Sequence, residues 1–252
     1  MLDIAFVLVN TPEYPDAAHV IATGKRLGLT MTAVSNEPLC FELPHGGSLI
    51  AMLMPAPHPD VPGMPFGPTS PPPEEAVAAG AHYVLTAQGL TGSLRERDTQ
   101  MALLATTIID NTDAVGAMLG HGVLFHKARL FAAMAELAAK EGVLPPEIAI
   151  DITNARESPT RMSFLTHNME RYGREELYIT CPIRGTGALD FVFQLVRWML
   201  TDLDKQFPTG DTLGRTAEEK IRIERVPNPT GHGPDVIRLE LDGELDGDGL
   251  TS

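Results

Sequence analysis

The chain has few cysteines and no long apolar run. Its 252 residues include only two cysteines, Cys40 and Cys181. Because they lie far apart in a chain whose N-terminus lacks the basic start of a secretory signal, we expect free buried thiols rather than a disulfide. No apolar run approaches the ~20 residues that span a bilayer. The sequence therefore predicts a soluble cytoplasmic protein that makes no membrane contact.

Basic residues are also scarce. The chain has 19 lysines and arginines against 33 aspartates and glutamates, which gives a formal net charge of −14. A surface of this sign repels phosphate backbones, so we expect no nucleic-acid binding. A neutral or basic protein partner remains compatible with this charge.

Sequence signatures of catalysis and cofactor binding are missing. The eight histidines show no H-E-x-x-H spacing, the cysteines are not paired for zinc, and neither a Walker loop nor G-x-S-x-G is present. The turn "RGTGALD" (184–190) would suit an anion at a helix N-terminus, but a tight strand-to-helix turn explains its glycines equally well. We therefore assign no catalytic, cofactor-binding or metal-ligating residue and expect no cofactor.

Apolar periodicity is what the sequence does supply, and it predicts an α+β fold with mixed or antiparallel sheets and packed helices. "IAFVLV", "SLIAMLM", "HYVLTA", "GVLFH", "EIAIDIT", "RMSFLTH", "KIRIERV" and "DVIRLEL" are typical of strands. Asp16 is a predicted helix cap, and Asp98 is the predicted cap of a long helix whose apolar positions continue to Leu119. Gly142 is predicted to end the helix that follows.

Nine prolines fall between residues 55 and 73, in "PAPHPDVPGMPFGPTSPPP". Proline removes a backbone donor and fixes φ, so neither strand nor helix is expected there. Val61, Met64 and Phe66 would be costly to expose in a swinging linker. We predict an ordered surface loop that these side chains pack down, rather than a domain linker. The alternative is a polyproline ligand for a partner domain.

The last predicted helix, 189–204, has one narrow polar stripe. Its polar residues recur at intervals of four and three, and almost everything else is large and apolar. Such a helix is expected to be covered on more than one side, either within the monomer or by a second subunit in a homodimer. The stripe consists of Asp190, Gln194, Arg197, Thr201 and Asp204.

We expect a single compact domain over residues 1–241, with an alternative division into halves 1–90 and 98–241. The acidic end, 242–252, is predicted to be disordered. Its "LDGELDGDG" has carboxylates at the spacing of a calcium loop, but the chain stops before the twelfth loop position.

Several short motifs resemble a bacterial family catalogued as domain of unknown function 4261. They are "THNMERYGREELYI" (166–179), the following helix and "GDTLG", with "MPAPHP" and "AHYVLTA" upstream. The resemblance is best over the last third of the chain. It places Tyr172 at the family's aromatic position before glycine, and Glu175 and Glu176 at its acidic pair. It implies an α+β fold and leaves function open.

Two functional hypotheses follow. The first is a non-catalytic binding or accessory protein, which acts on an unknown protein partner. The second is a hydrolase-like enzyme whose catalytic groups are scattered along the sequence, with the candidates His82, His167, Glu170, Glu175 and Asp211. Three of these converging in one pocket, beside a carboxyl group of raised pKa, would favour the enzyme. Dispersal would favour the binding protein.

Overall fold

The computed structural model describes residues 2–142, 144–183, 187–201, 206–214 and 219–241. The chain forms two compact units, residues 1–149 and 150–252, and each contains one sheet. Six helices and 13 strands are found in the described part of the chain, and the two sheets are mostly antiparallel. The predicted α+β class is confirmed.

The first unit is a seven-stranded antiparallel sheet in the order β2-β3-β4-β5-β1-β6-β7. Its strands are β1 (Leu2–Val9), β2 (Thr32–Asn36), β3 (Leu39–Glu42), β4 (Ser48–Met54), β5 (Ala81–Gln88), β6 (Ala114–Leu119) and β7 (His126–Lys127). Its helices are α1 (Ala17–Arg26), α2 (Pro73–Ala78), α3 (Leu94–Ile109), α4 (Ala128–Glu141) and α5 (Pro146–Ala149).

Strand residues alternate between the two faces of a sheet, and one face of this sheet is buried under helices. Ala5 and Val7 of β1 are fully buried on the helix side. Helix α3 packs against β1 and β6, α4 packs against α3 and β6, and α1 packs against α3. Asp3, on the same side of β1, forms an ion pair with Arg97 of α3 at 3.4 Å.

The second unit is a six-stranded sheet in the order β11-β12-β13-β10-β9-β8, in which only the β10–β13 pair is parallel. Its strands are β8 (Asp151–Arg156), β9 (Arg161–His167), β10 (Leu177–Pro182), β11 (Thr212–Leu213), β12 (Ile221–Val226) and β13 (Val236–Glu240). Its described helix is α6 (Ala188–Thr201).

Helix α6 has the polar stripe that the sequence predicts. The stripe residues at 190, 194, 197 and 201 are exposed, whereas Asp204 lies outside the described residues. Eight residues on the rest of the circumference are buried. The main exception is Trp198, whose exposed fraction is 41%.

Helix α3 differs from its prediction at both ends. Ser93, not Asp98, is the cap: its side chain accepts from the Glu96 backbone N–H, while the Glu96 carboxylate accepts from the Ser93 N–H. Asp98 is buried inside the helix. The helix ends at Ile109, and residues 114–119 form β6 instead of two further helical turns. Pairing with β1 makes residues 114–119 a strand. The apolar pattern of one segment does not reveal which strand it pairs with.

Two further predicted strands are only partly confirmed. "EIAIDIT" divides into the short helix α5 and the start of β8, because Pro146 occupies a first helical position. Within "GVLFH" only His126 is in a strand. Gly142, with φ of 74°, does end α4 as predicted.

The division between the two units lies at residue 149, not in the predicted interval between residues 90 and 98. That interval joins β5 to α3, and α3 packs against β1, the neighbour of β5. Both sides of it therefore belong to one core. The predicted acidic tail, 242–252, lies outside the described residues, as does 184–186 of the "RGTGALD" turn.

Both cysteines are free, as predicted; Cys181 is fully buried and Cys40 is half-buried. Burial raises the pKa of the Cys181 thiol. No helix in the described ranges is long and apolar enough to cross a membrane.

Candidate functional site

The face of the first sheet that points away from the helices carries large apolar side chains. On β4 the exposed fractions are 37% for Ile50, 48% for Met52 and 39% for Met54. The intervening Leu49 and Ala51 are fully buried on the helix side. The alternation of β4 therefore separates two apolar faces, of which only one is covered.

The neighbouring strands extend this row into a surface. Met52 lies opposite Val84 of β5, which lies opposite Phe6 of β1. Ile50 is joined in the same way, through Thr86, to Ile4. Cross-strand partners project from the same face, so these side chains are contiguous. We call the surface formed by Ile4, Ile50, Met52, Met54 and Val84 the open sheet face.

The open sheet face is almost free of formal charge. Among the residues of β1, β3, β4 and β5 that point to this side, the only aspartate, glutamate, lysine or arginine is Glu42, opposite Ser48. The chain as a whole carries a formal net charge of −14. The acidic side chains are therefore concentrated outside this surface.

The proline segment, residues 55–73, covers the other end of the same side of the sheet. Val61 is buried in a cluster with Leu8, Met118 and Phe125, and the half-buried Met64 and Phe66 pack against that cluster. The backbone N–H of Lys127 donates to the Thr69 carbonyl at 2.8 Å, which fastens the segment to β7. The segment is thus an ordered loop within one unit, as predicted, and it ends beside the open sheet face.

Histidines fasten this loop to the sheet. His58 contacts His82, Phe6 and Phe125, with ring centroids 4.8, 5.3 and 5.5 Å away. The Nδ1 of His82 lies 2.9 Å from the carbonyl oxygen of Ala56, and the Nδ1 of His126 lies 2.9 Å from the Thr69 hydroxyl.

Burial lowers the pKa of His58, and the neighbouring His82 lowers it further. All three histidines are buried and have protein partners within the loop or sheet. Their surroundings are those of packing residues that fix the loop.

The five sequence candidates for catalysis fall in three places: His82 in the first unit, Asp211 in the second, and His167, Glu170 and Glu175 at the end of β9 or in the connection from β9 to β10. His82 lies in the first unit under the proline segment. Glu175 is exposed and forms a bidentate ion pair with Arg225, in which both N–O distances are 2.7 Å. Asp211 borders a cavity whose lining includes none of the other candidates. Glu170 lies in a short 3₁₀ turn, residues 169–172.

His167, the fifth candidate, faces a hydroxyl group. Its Nε2 lies 2.9 Å from the Oγ1 of Thr153 on the neighbouring strand. Burial lowers the pKa of His167, while the carboxylate of Asp151 acts in the opposite direction. Asp151 is buried and accepts a hydrogen bond from the Asn168 side chain at 3.1 Å.

Among the described residues, burial raises the pKa of two carboxyl groups, Asp110 and Glu176, and the sequence analysis selected neither as a catalytic candidate. The second of them, Glu176, lies in the connection between β9 and β10. Desolvation by burial raises its pKa, partly offset by hydrogen bonds from the Thr166 hydroxyl at 2.7 Å and the Met169 N–H at 2.8 Å. These donors anchor the turn between β9 and β10. Nothing in the local sequence distinguished Glu176 from Glu175, because the contact depends on strand register.

A cavity of about 480 Å³ lies in the second unit, beside Trp198 of α6. Within the described ranges, no group of three or more His, Cys, Asp or Glu side chains is arranged to hold a metal ion.

Together these features define an α+β protein of two units, one of which leaves part of a sheet face uncovered and apolar. No protein-family model, curated protein or solved structure matches the chain. The resemblance to the domain of unknown function 4261 therefore stays a prediction.

Proposed function

We propose that the chain is a non-catalytic binding protein that holds another protein on the open sheet face. The observation that carries the proposal is the row of Ile50, Met52 and Met54, exposed side by side on a strand whose other face is buried. Contiguous apolar patches on a folded surface are typical of sites where another molecule docks. Methionine side chains are flexible and polarisable, so such a face adapts to different apolar shapes.

The distribution of charge on this chain indicates the chemistry of the partner. The face is neutral apart from Glu42, while the rest of the chain is strongly acidic. A second copy would bring two like-charged surfaces together, and a large net charge opposes that approach. The partner we propose is a protein segment with an apolar side bordered by lysines and arginines. Its apolar side would cover Ile50, Met52 and Met54, and its cations would face the acidic surroundings.

The surroundings of three catalytic candidates support binding over the hydrolase-like alternative. Glu175 is engaged with Arg225, His82 fixes the proline segment, and Asp211 lies at a cavity without the others. Of the two carboxyl groups with a raised pKa, Asp110 is ion-paired with Arg26, and Glu176 accepts hydrogen bonds from a turn that it anchors.

The test uses NMR of the full chain with ¹³C-labelled methionine methyl groups and two amphipathic peptides of equal length. One peptide contains leucine and lysine, and the other contains leucine and glutamate. We expect the leucine–lysine peptide to shift the Met52 and Met54 methyl signals and to bind at least tenfold more tightly than the other. Shifts confined to other methionines would contradict the proposal.

Met52→Glu distinguishes docking from general electrostatic attraction. It adds a negative charge, so attraction alone would strengthen binding of the basic peptide, whereas loss of the apolar contact should weaken it at least tenfold. Val77→Glu is the matched control, because Val77 is 52% exposed on α2, which packs against β6, and β5 and β1 lie between β6 and β4. A concentration-dependent dimer that Met52→Glu abolishes would instead identify a second copy as the occupant.

A further inference from the structure

The cavity of the second unit has an aromatic wall. It lies between α6, residues 206–214 and β12, and its volume of about 480 Å³ is within the range of small-ligand sites. Trp198 is 41% exposed, whereas Phe207 beneath it is 5% exposed. Their ring centroids are 5.2 Å apart and the rings are nearly perpendicular, at 82°. The buried Phe191, Leu195 and Ile223 are also part of the apolar lining.

Polar groups stand at the rim of this cavity. Gln194, Gln206 and Asp211 are exposed lining residues, and their side chains make no hydrogen bond or ion pair with any described residue. Asp211 is the only formally charged residue in the described lining, which contains no lysine or arginine. Among the described lining residues, an anionic ligand would therefore meet a carboxylate and no compensating charge.

We propose that this cavity binds a small organic cation: an ammonium or guanidinium group on a short apolar body. A cation is attracted to the face of an indole ring, by an energy that grows when the site excludes water. The Asp211 carboxylate would attract the positive charge, and the Gln194 and Gln206 carbonyl oxygens can accept from an N–H or O–H group of the ligand. The apolar body would lie against Phe191 and Leu195. This site is separate from the open sheet face and does not depend on it.

The chain offers a direct reporter, because Trp198 is its single tryptophan. The probes are choline and its neutral isostere 3,3-dimethyl-1-butanol, which share a shape and differ in charge. In a titration of the full chain we expect choline to change the Trp198 fluorescence saturably, at a Kd at least tenfold lower than that of the alcohol. Equal responses to the two probes, or no saturable response to choline, would overturn the proposal.

Asp211→Asn and Asp235→Asn form a matched pair. Both remove one negative charge, and Asp235 is exposed in the same unit but does not line the cavity. Asp211→Asn should weaken choline binding at least fivefold, and Asp235→Asn should leave it within twofold. Equal weakening by both would show attraction to the net charge only, and would overturn the site. Trp198→Leu should abolish choline binding, which is measured by calorimetry in this variant. The NMR response of Met52 to the leucine–lysine peptide should persist.

Discussion

Thr166 is a buried residue of the second unit whose hydroxyl takes part in two hydrogen bonds. Its side chain is 1% exposed, donates to the Glu176 carboxylate at 2.7 Å and accepts from the Leu177 backbone N–H at 2.7 Å. The hydroxyl therefore satisfies a carboxylate that burial has partly desolvated and a backbone donor inside the sheet. The buried Leu177 N–H donates to this hydroxyl, whereas the half-buried Glu176 carboxylate also accepts from the Met169 N–H at 2.8 Å.

Thr166→Val should lower the free energy of unfolding by about 3 kcal/mol, because it leaves a buried donor unsatisfied and removes a hydrogen bond to a charged group. The loss should be largest at neutral pH. Burial sets the folded-state pKa of Glu176 above its ordinary value, so protonation on acidification favours the folded state and relieves the unsatisfied charge. Urea denaturation at several pH values measures both effects. Thr201→Val, at an exposed position on α6, should cost less than 0.5 kcal/mol; a similar loss in the two variants would contradict this account.

The proline segment, residues 55–73, covers part of the sheet side on which the open sheet face lies. It has little regular structure beyond a 3₁₀ turn, residues 61–63, and is held instead by side chains. His58 lies at the centre of these contacts, between Phe6, Phe125 and His82. Since a charged imidazole is poorly solvated there, the loop should be held most firmly when His58 is neutral.

Acidification from pH 7.5 to 5.5 should therefore reduce the contribution of His58 to the free energy of unfolding. Burial lowers the folded-state pKa of His58, so the unfolded chain binds more protons as the pH falls through the ordinary value of 6.5. His167 acts in the same direction. Each group contributes at most ~1.4 kcal/mol per pH unit. His58→Phe should flatten the dependence measured by urea denaturation, whereas His19→Phe, at an exposed site on α1, should not; an unchanged slope in His58→Phe would rule out this role.

The sequence predicted elements best where local pattern and burial agree. The proline segment, the exposed stripe of α6 and the end of α4 at Gly142 could be predicted, because each depends on backbone chemistry or on periodicity within one segment. Residues 114–119 could not, because their apolar spacing continues that of α3 and only pairing with β1 makes them a strand. The open sheet face was also missed: "SLIAMLM" is continuously apolar, which is typical of a strand covered on both sides.

At the scale of the whole molecule, the sequence predicts one compact domain, and the structure shows two units divided at residue 149. The first unit contains a complete sheet, since all seven strands pair with strands of the same unit. Its helix-side core is likewise internal: α1, α3 and α4 pack on one another or on its strands. About 150 residues with one continuous core is a common size for an independently folding domain.

A fragment of residues 1–149 should therefore fold alone. We expect a cooperative thermal transition, and methionine methyl signals for Met52 and Met54 at the positions seen in the full chain, because every strand that neighbours β4 is retained. The fragment should also bind the leucine–lysine peptide within threefold of the full chain if the open sheet face is the whole site. Calorimetry and the same NMR experiment measure these properties. A fragment that is soluble but lacks a cooperative transition would show that the first sheet requires residues 150–252, and would support the single domain that the sequence predicts.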